Sequence, residues 1–163
     1  MTVPINTQDK FSRAFLWFVL IFYTLILTKL ILFKRSTEYI KAHLRHYNLD
    51  MAKANMHHAY LQPFSSIRFY LSGRMPLGYV FVNLVGNIAG FIPLAIILCL
   101  LFKPLRSAAA CIGCIFLVSC SFEIIQLFTR LGVCDIDDVI LNTFGGMIGY
   151  FIFWLMTKFF LIK

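Results

Sequence analysis

The residues best suited to chemistry fall in two polar blocks set into an otherwise apolar chain. One is Asn83-Leu84-Val85-Gly86-Asn87, and the other runs from Glu123 through Gln126, Asp135 and Asp138 to Asn142. Carboxylates can transfer protons, hold cations or accept hydrogen bonds, and carboxamides can frame a ligand with paired donors and acceptors. Their surroundings sharpen the point. An ionisable side chain in hydrocarbon is costly, so one that persists there usually faces a bundle interior and carries a function. The plainer reading is that the amides join helices by hydrogen bonds and that one Asp caps a helix. A Glu with two Asp and four carboxamides exceeds what packing alone requires.

The elements that position these residues are membrane helices. Of 163 residues, 60% are hydrophobic and 13% charged, against roughly 25% charged in ordinary globular chains. Four apolar stretches, near 11–33, 77–102, 107–129 and 139–162, reach the ~20 residues needed to cross a bilayer core as helix. Backbone groups in lipid must be satisfied within the segment, so these runs imply helices, and no alternating pattern suggests a barrel. The expected fold is an all-α polytopic membrane protein, a single domain over 1–163. Lys10 and Arg13 before the first run resemble the basic region of a signal peptide. That run is too long and lacks a small-x-small site after it, so it is expected to remain as an anchor.

Residues 34–76 form the one long connection. Tyr39, Ile40, Leu44, Tyr47 and Met51 recur there at helical spacing among Lys41, Arg45 and His46, which predicts an amphipathic helix in the interface plane over about 36–58. The net charge is +8, and seven cations (Lys34, Arg35, Lys41, Arg45, Lys53, Arg68, Arg74) lie in this loop. A basic stripe can hold nucleic acid, but this one abuts lipid, so anionic head groups are the expected partner and nucleic acid is not. With Arg130 they make eight cations on that face against six on the other (Lys10, Arg13, Lys103, Arg106, Lys158, Lys163), a split too even to fix an orientation.

Short connections at 103–106 and about 130–138 force the last three spans into antiparallel neighbours. The start of the second span, the end of the third and the start of the fourth then share one membrane face. Asn83 and Asn87 are i, i+4, Glu123 and Gln126 are i, i+3, and Asp138 and Asn142 are i, i+4, so each pair shares a helix face. The blocks are expected to converge at one depth. Gly86, Gly90, Gly145, Gly146 and Gly149 would let the helices approach closely. Asp135 or Asp138 is placed to cap the fourth helix.

Other candidates are plainer. Cys111-x-x-Cys114 has a redox-like spacing, but its apolar setting offers nothing to generate a thiolate, so all five cysteines read as packing residues. His43, His46, His57 and His58 lack a completing carboxylate or Cys, and no metal is expected at them. Lys29 would either snorkel outward or pair with a buried carboxylate. No P-loop, GxSxG or HExxH is present.

The ordered blocks resemble the VanZ-like family of bacterial membrane proteins. The resemblance rests on Asn83-Leu84-x-Gly86-Asn87 followed by Phe91-x-Pro93, on Ser119-x-Ser121-Phe122-Glu123-x-x-Gln126, on Asp135-Ile136-x-Asp138-Val139-x-x-Asn142-Thr143-x-Gly145-Gly146, and on Leu61-x-Pro63-Phe64. It covers roughly 15–157. Ala95 and Leu131-Gly132 stand where many members have Gly and a Gly-Arg pair. The resemblance implies a multi-pass protein of the bacterial cytoplasmic (inner) membrane, with teicoplanin resistance attached to some members and no settled biochemical activity or cofactor. The leading expectation is a polar site for an amphiphilic or lipid-linked ligand, such as a cell-wall precursor or a lipoglycopeptide. A lipid phosphotransferase or hydrolase using Glu123 with Asp135/Asp138, which could also hold a divalent cation, is a second reading. A small carrier is a third, and four helices would then require a homo-oligomer.

Overall fold

A computed structural model describes residues 10–33, 40–41, 59–129 and 131–159. Among them lie five α-helices: α1 (Lys10–Leu32), α2 (Ser65–Leu71), α3 (Leu77–Leu101), α4 (Ala108–Thr129) and α5 (Ile136–Phe159). All but α2 are long and apolar enough to cross a membrane, and the protein is an all-α polytopic membrane protein. Large apolar side chains such as Phe18, Leu25, Leu117 and Phe151 are exposed on the outside of the bundle. That is the surface a bilayer solvates.

Local chemistry sets the helix ends. Pro76 precedes the first residue of α3, where a residue with fixed φ and no N–H fits a helix start. Lys103–Arg106 form one tight 3₁₀ turn, and the backbone N–H of Ala110 donates to Ser107 Oγ at 3.3 Å to cap α4. Pro93 lies inside α3 and deletes one ladder hydrogen bond. Beside that gap the Tyr23 hydroxyl donates to Gly90 O at 2.8 Å, tying α1 to α3.

The core runs along α3, which packs most extensively on α5. Small residues make this possible. A Cβ on Gly145 would lie 2.1 Å from Ile88 O, and one on Gly149 would lie 2.4 Å from Ile92 O. A Cβ on Gly146 would lie 2.7 Å from the Ile115 side chain of α4. Gly86, expected to do the same, faces open space.

Two elements differ from the sequence reading, and a third is not described. Helix α5 starts at Ile136, not at 139, because Asp135 supplies the cap. The short helix α2 was not expected from the pattern around Leu61-Gln62-Pro63-Phe64. The interfacial helix of about 36–58 lies outside the described residues, apart from Ile40 and Lys41, which are helical.

Candidate functional site

The turn from α4 into α5 organises the site. Asp135 Oδ1 accepts the backbone N–H of Asp137 at 2.9 Å, the bond of an N-cap. Asp137 and Asp138 occupy the first turn, where the helix dipole favours negative charge. Glu123 reaches this turn from the last third of α4, and its Oε2 accepts the backbone N–H of Asp135 at 2.8 Å. Asp138 Oδ1 accepts from Asn87 Nδ2 of α3. Three spans thus meet through carboxylates and an amide, as the spacing predicts.

A second tier lies beside the first. Gln126 Nε2 donates to Ile31 O at 3.2 Å, which brings the end of α1 to the cluster. Gly132 passes so close to Gln126 that a Cβ there would sit 2.5 Å from Nε2. Deeper in, Asn142 Nδ2 donates to Ser119 Oγ at 2.8 Å. Asn142 is 2% exposed, and its Oδ1 accepts no hydrogen bond among the described residues. A buried carbonyl left so costs about 1–3 kcal/mol, which a donor group entering the site would recover. Asn87, Glu123, Gln126, Asp135 and Asn142 are all buried.

The remaining expected residue is placed differently. Asn83 turns its amide back to Tyr79 O of its own helix at 2.8 Å, one turn outside the contact between Asn87 and Asp138. Asn87 itself lies about 15 Å along α3 from Leu77, at 1.5 Å per residue, so the site is deeper relative to α3 than to α4 or α5. Lys29 is exposed, whereas Glu123, Asp135 and Asp137 are buried. Cys111 meets Cys99 of α3, with the sulfurs 3.3 Å apart, and not Cys114. Among the described residues no group of three or more His, Cys, Asp or Glu side chains is arranged to hold a metal ion; His43, His46, His57 and His58 lie outside them.

Asp137 is the buried acid beside the cluster that the sequence reading did not single out. It is 1% exposed, and its carboxylate accepts three backbone N–H groups. Oδ1 takes Phe64, and Oδ2 takes Ser66 at 2.8 Å and Ile67 at 3.0 Å. It thus caps α2 from 70 residues away in the chain. The available signal was its position inside the Asp135–Asp138 run, among residues with assigned roles. Tyr60 adds to the attachment: its N–H donates to Cys134 O at 2.9 Å, and Ile136 N–H donates to Tyr60 O at 3.0 Å. The 59–71 segment is therefore fastened to the turn that carries the acids.

Two titrating groups sense the negative cluster from outside the spans. Burial raises the Tyr70 phenol, with Tyr79, Asp138 and Asp135 adding to the shift, so Tyr70 stays a neutral donor. Burial, then the charges of Glu123 and Asp135, raises the Cys134 thiol from 9.0 to about 11. Alkylation of Cys134, followed by site-resolved mass spectrometry, should be slow at neutral pH. Its rate should climb roughly tenfold per pH unit up to about 11, since the thiolate is the nucleophile. The unfolded thiol ionises first, so its contribution to stability is full below pH 9.0 and falls as the pH rises towards about 11. A rate that levels off near pH 9 would contradict this environment.

Comparison with known proteins follows the same residues. The chain is 35% identical over 78 residues to Protein VanZ of Enterococcus faecium, covering 48% of each chain. The aligned part thus spans about half the length of that relative. No solved structure matches. The VanZ/LLP1 family matches residues 18–157, which takes in the whole polar cluster and reaches into all four spanning helices. The chain belongs to the VanZ/LLP1 family.

Proposed function

We propose that this protein works in the cytoplasmic membrane of a bacterium, where its polar cluster binds an amphiphilic or lipid-linked ligand and lowers susceptibility to teicoplanin. The observation that carries this reading is Asn142 Oδ1, a buried acceptor that receives nothing from the described residues, set among carboxylates and amides from three spans. A ligand with hydroxyl or ammonium donors would complete it, and a hydrocarbon tail would lie along the exposed apolar outer faces of the spans. Exposed Arg68 of α2 and Arg74 after it would draw anionic head groups towards the face that carries α2.

The local bonding favours binding over acid–base catalysis. Asp135 caps α5, Asp137 holds α2 and Glu123 takes a backbone N–H. Carboxylates so engaged are fixed in place and suit recognition through a rigid frame.

The test is the teicoplanin inhibitory concentration of a susceptible Gram-positive host expressing the parent, Glu123→Gln at matched membrane level, or an empty vector. The parent should raise it several-fold and Glu123→Gln should lose the rise. No rise with verified parent expression would refute resistance in that host.

A further inference from the structure

Two buried thiols meet at the end of the bundle opposite the polar cluster. Cys99 stands two residues before the end of α3, and Cys111 is the fourth residue of α4, so the turn between these helices brings them face to face. Both are 0% exposed, and their sulfurs are 3.3 Å apart. They share one buried cluster with Ala95, Leu98, Ile115 and Phe153. Sequence spacing offers Cys111 a different partner, Cys114, three residues along its own helix. The antiparallel packing of α4 on α3 selects Cys99 instead.

The turn holds this contact in place. Cys99 Sγ donates to Leu105 O at 3.1 Å, and Cys111 Sγ lies 4.0 Å from Ala95 O. Arg106 Nε donates to Cys99 O at 3.3 Å, and the Tyr150 hydroxyl donates to Arg106 O at 3.2 Å, which ties the turn to α3 and α5. A disulfide places its sulfurs about 2.0 Å apart. From the observed 3.3 Å they must close by about 1.3 Å. Both cysteines lie in the terminal turns of their helices, where a local opening costs least.

We propose that Cys99 and Cys111 are a site of reversible disulfide formation, oxidised by a small, lipid-soluble hydroperoxide. Their burial shuts out a bulky protein disulfide as the oxidant, whereas a hydroperoxide partitions into the bilayer. One thiol gives up its proton and its sulfur attacks a peroxide oxygen. The O–O bond breaks, and the departing alkoxide takes the proton and leaves as an alcohol. The second sulfur then attacks the resulting sulfenic acid, which forms the S–S bond, and hydroxide leaves with the second thiol's proton as water. Two thiols and one hydroperoxide thus give one disulfide, one alcohol and one water, and the two electrons from the thiols reduce the peroxide. The bond fastens α3 to α4 beside their turn, in the same two helices that carry Asn87 and Glu123.

Peptide mapping of the full chain tests this. The protein in phosphatidylcholine nanodiscs is treated with cumene hydroperoxide, dosed until sulfoxide appears among its six methionines, which shows that the oxidant has reached the chain. Remaining thiols are then alkylated in denaturant and the digest is read by mass spectrometry. The peptides of Cys99 and Cys111 should be joined about tenfold more often than any other pair, because thiols held in contact react at high effective concentration. Cys114, Cys120 and Cys134 should stay alkylatable, and a phosphine should restore all five thiols. Cys114→Ser should keep the link and Cys111→Ser should remove it. Methionine sulfoxide with Cys99 and Cys111 still alkylatable overturns the proposal, as does a link from Cys111 to Cys114 that is as frequent as one to Cys99.

Discussion

Asp137→Ala should destabilise the protein by about 3–5 kcal/mol and release the 59–71 segment from the bundle. The carboxylate is buried and accepts three backbone N–H groups. Hydrogen bonds to a charged group contribute roughly 1.5–3 kcal/mol each, and a donor left buried without its partner costs about 1–3 kcal/mol. The three bonds share one anchor, so their loss is not additive, and the sum settles near the cost of breaking a buried charged network. Phe64 raises the stakes. Its φ of 65° is left-handed, a conformation that costs a non-glycine residue of order 1 kcal/mol or more and persists only where its surroundings impose it. Asp137 is the group that receives Phe64's N–H in that conformation.

Asp137→Asn should fare little better, because its amide would set an NH₂ against N–H donors. Two measurements check this in detergent micelles: the thermal midpoint, and the rate of proteolysis between residues 59 and 76. The variant should melt lower and be cut there many times faster. A variant with the parent midpoint and an intact 59–71 segment would show that α2 is held by other contacts.

Gly145→Ala should cost about 1–3 kcal/mol or more, the range for overpacking a tight interior. The added methyl would lie 2.1 Å from Ile88 O and 2.9 Å from Ile88 C. Both are backbone atoms, so no rotamer change relieves the clash, and α3 and α5 must separate. Lipid tails are as apolar as leucine, so helix association in a membrane depends on close packing and loses much when that contact opens. Gly149→Ala should act alike through Ile92 O, at 2.4 Å, and the pair should be more damaging than either alone. The function should fall with the fold, because Ile88 follows Asn87 directly and Gly145 lies one turn from Asn142. Gly86→Ala is the control: its Cβ meets nothing, and alanine is the better helix former. Thermal midpoints in one detergent should rank Gly86→Ala at or above the parent and Gly145→Ala well below it. Equal midpoints for Gly145→Ala and the parent would contradict the close approach of α3 and α5.

These two residues mark the division between what is local in this chain and what is not. The four spans, their turns and the shared depth of Asn87, Glu123, Gln126, Asp135, Asp138 and Asn142 were legible in the sequence. Apolar run length fixes helices in a bilayer, short loops force antiparallel neighbours, and helical spacing fixes which side chains share a face. The ordered motifs also pointed to the family that residues 18–157 match. The rest depended on contacts between distant parts of the chain. Nothing near Asp137 shows that its partners are the N–H groups of Phe64, Ser66 and Ile67, more than 65 residues earlier. Likewise, Gly86 and Gly145 are both glycines beside an asparagine-bearing turn, and only the rotation of each helix decided that one faces open space and the other a backbone carbonyl. Asn83 and Asn87 share a helix face, yet only Asn87 reaches Asp138, because the depth at which α5 crosses α3 selects one turn. Periodicity sets the face a residue occupies, whereas its partner is set by helix rotation, depth and crossing, which are properties of the packed bundle.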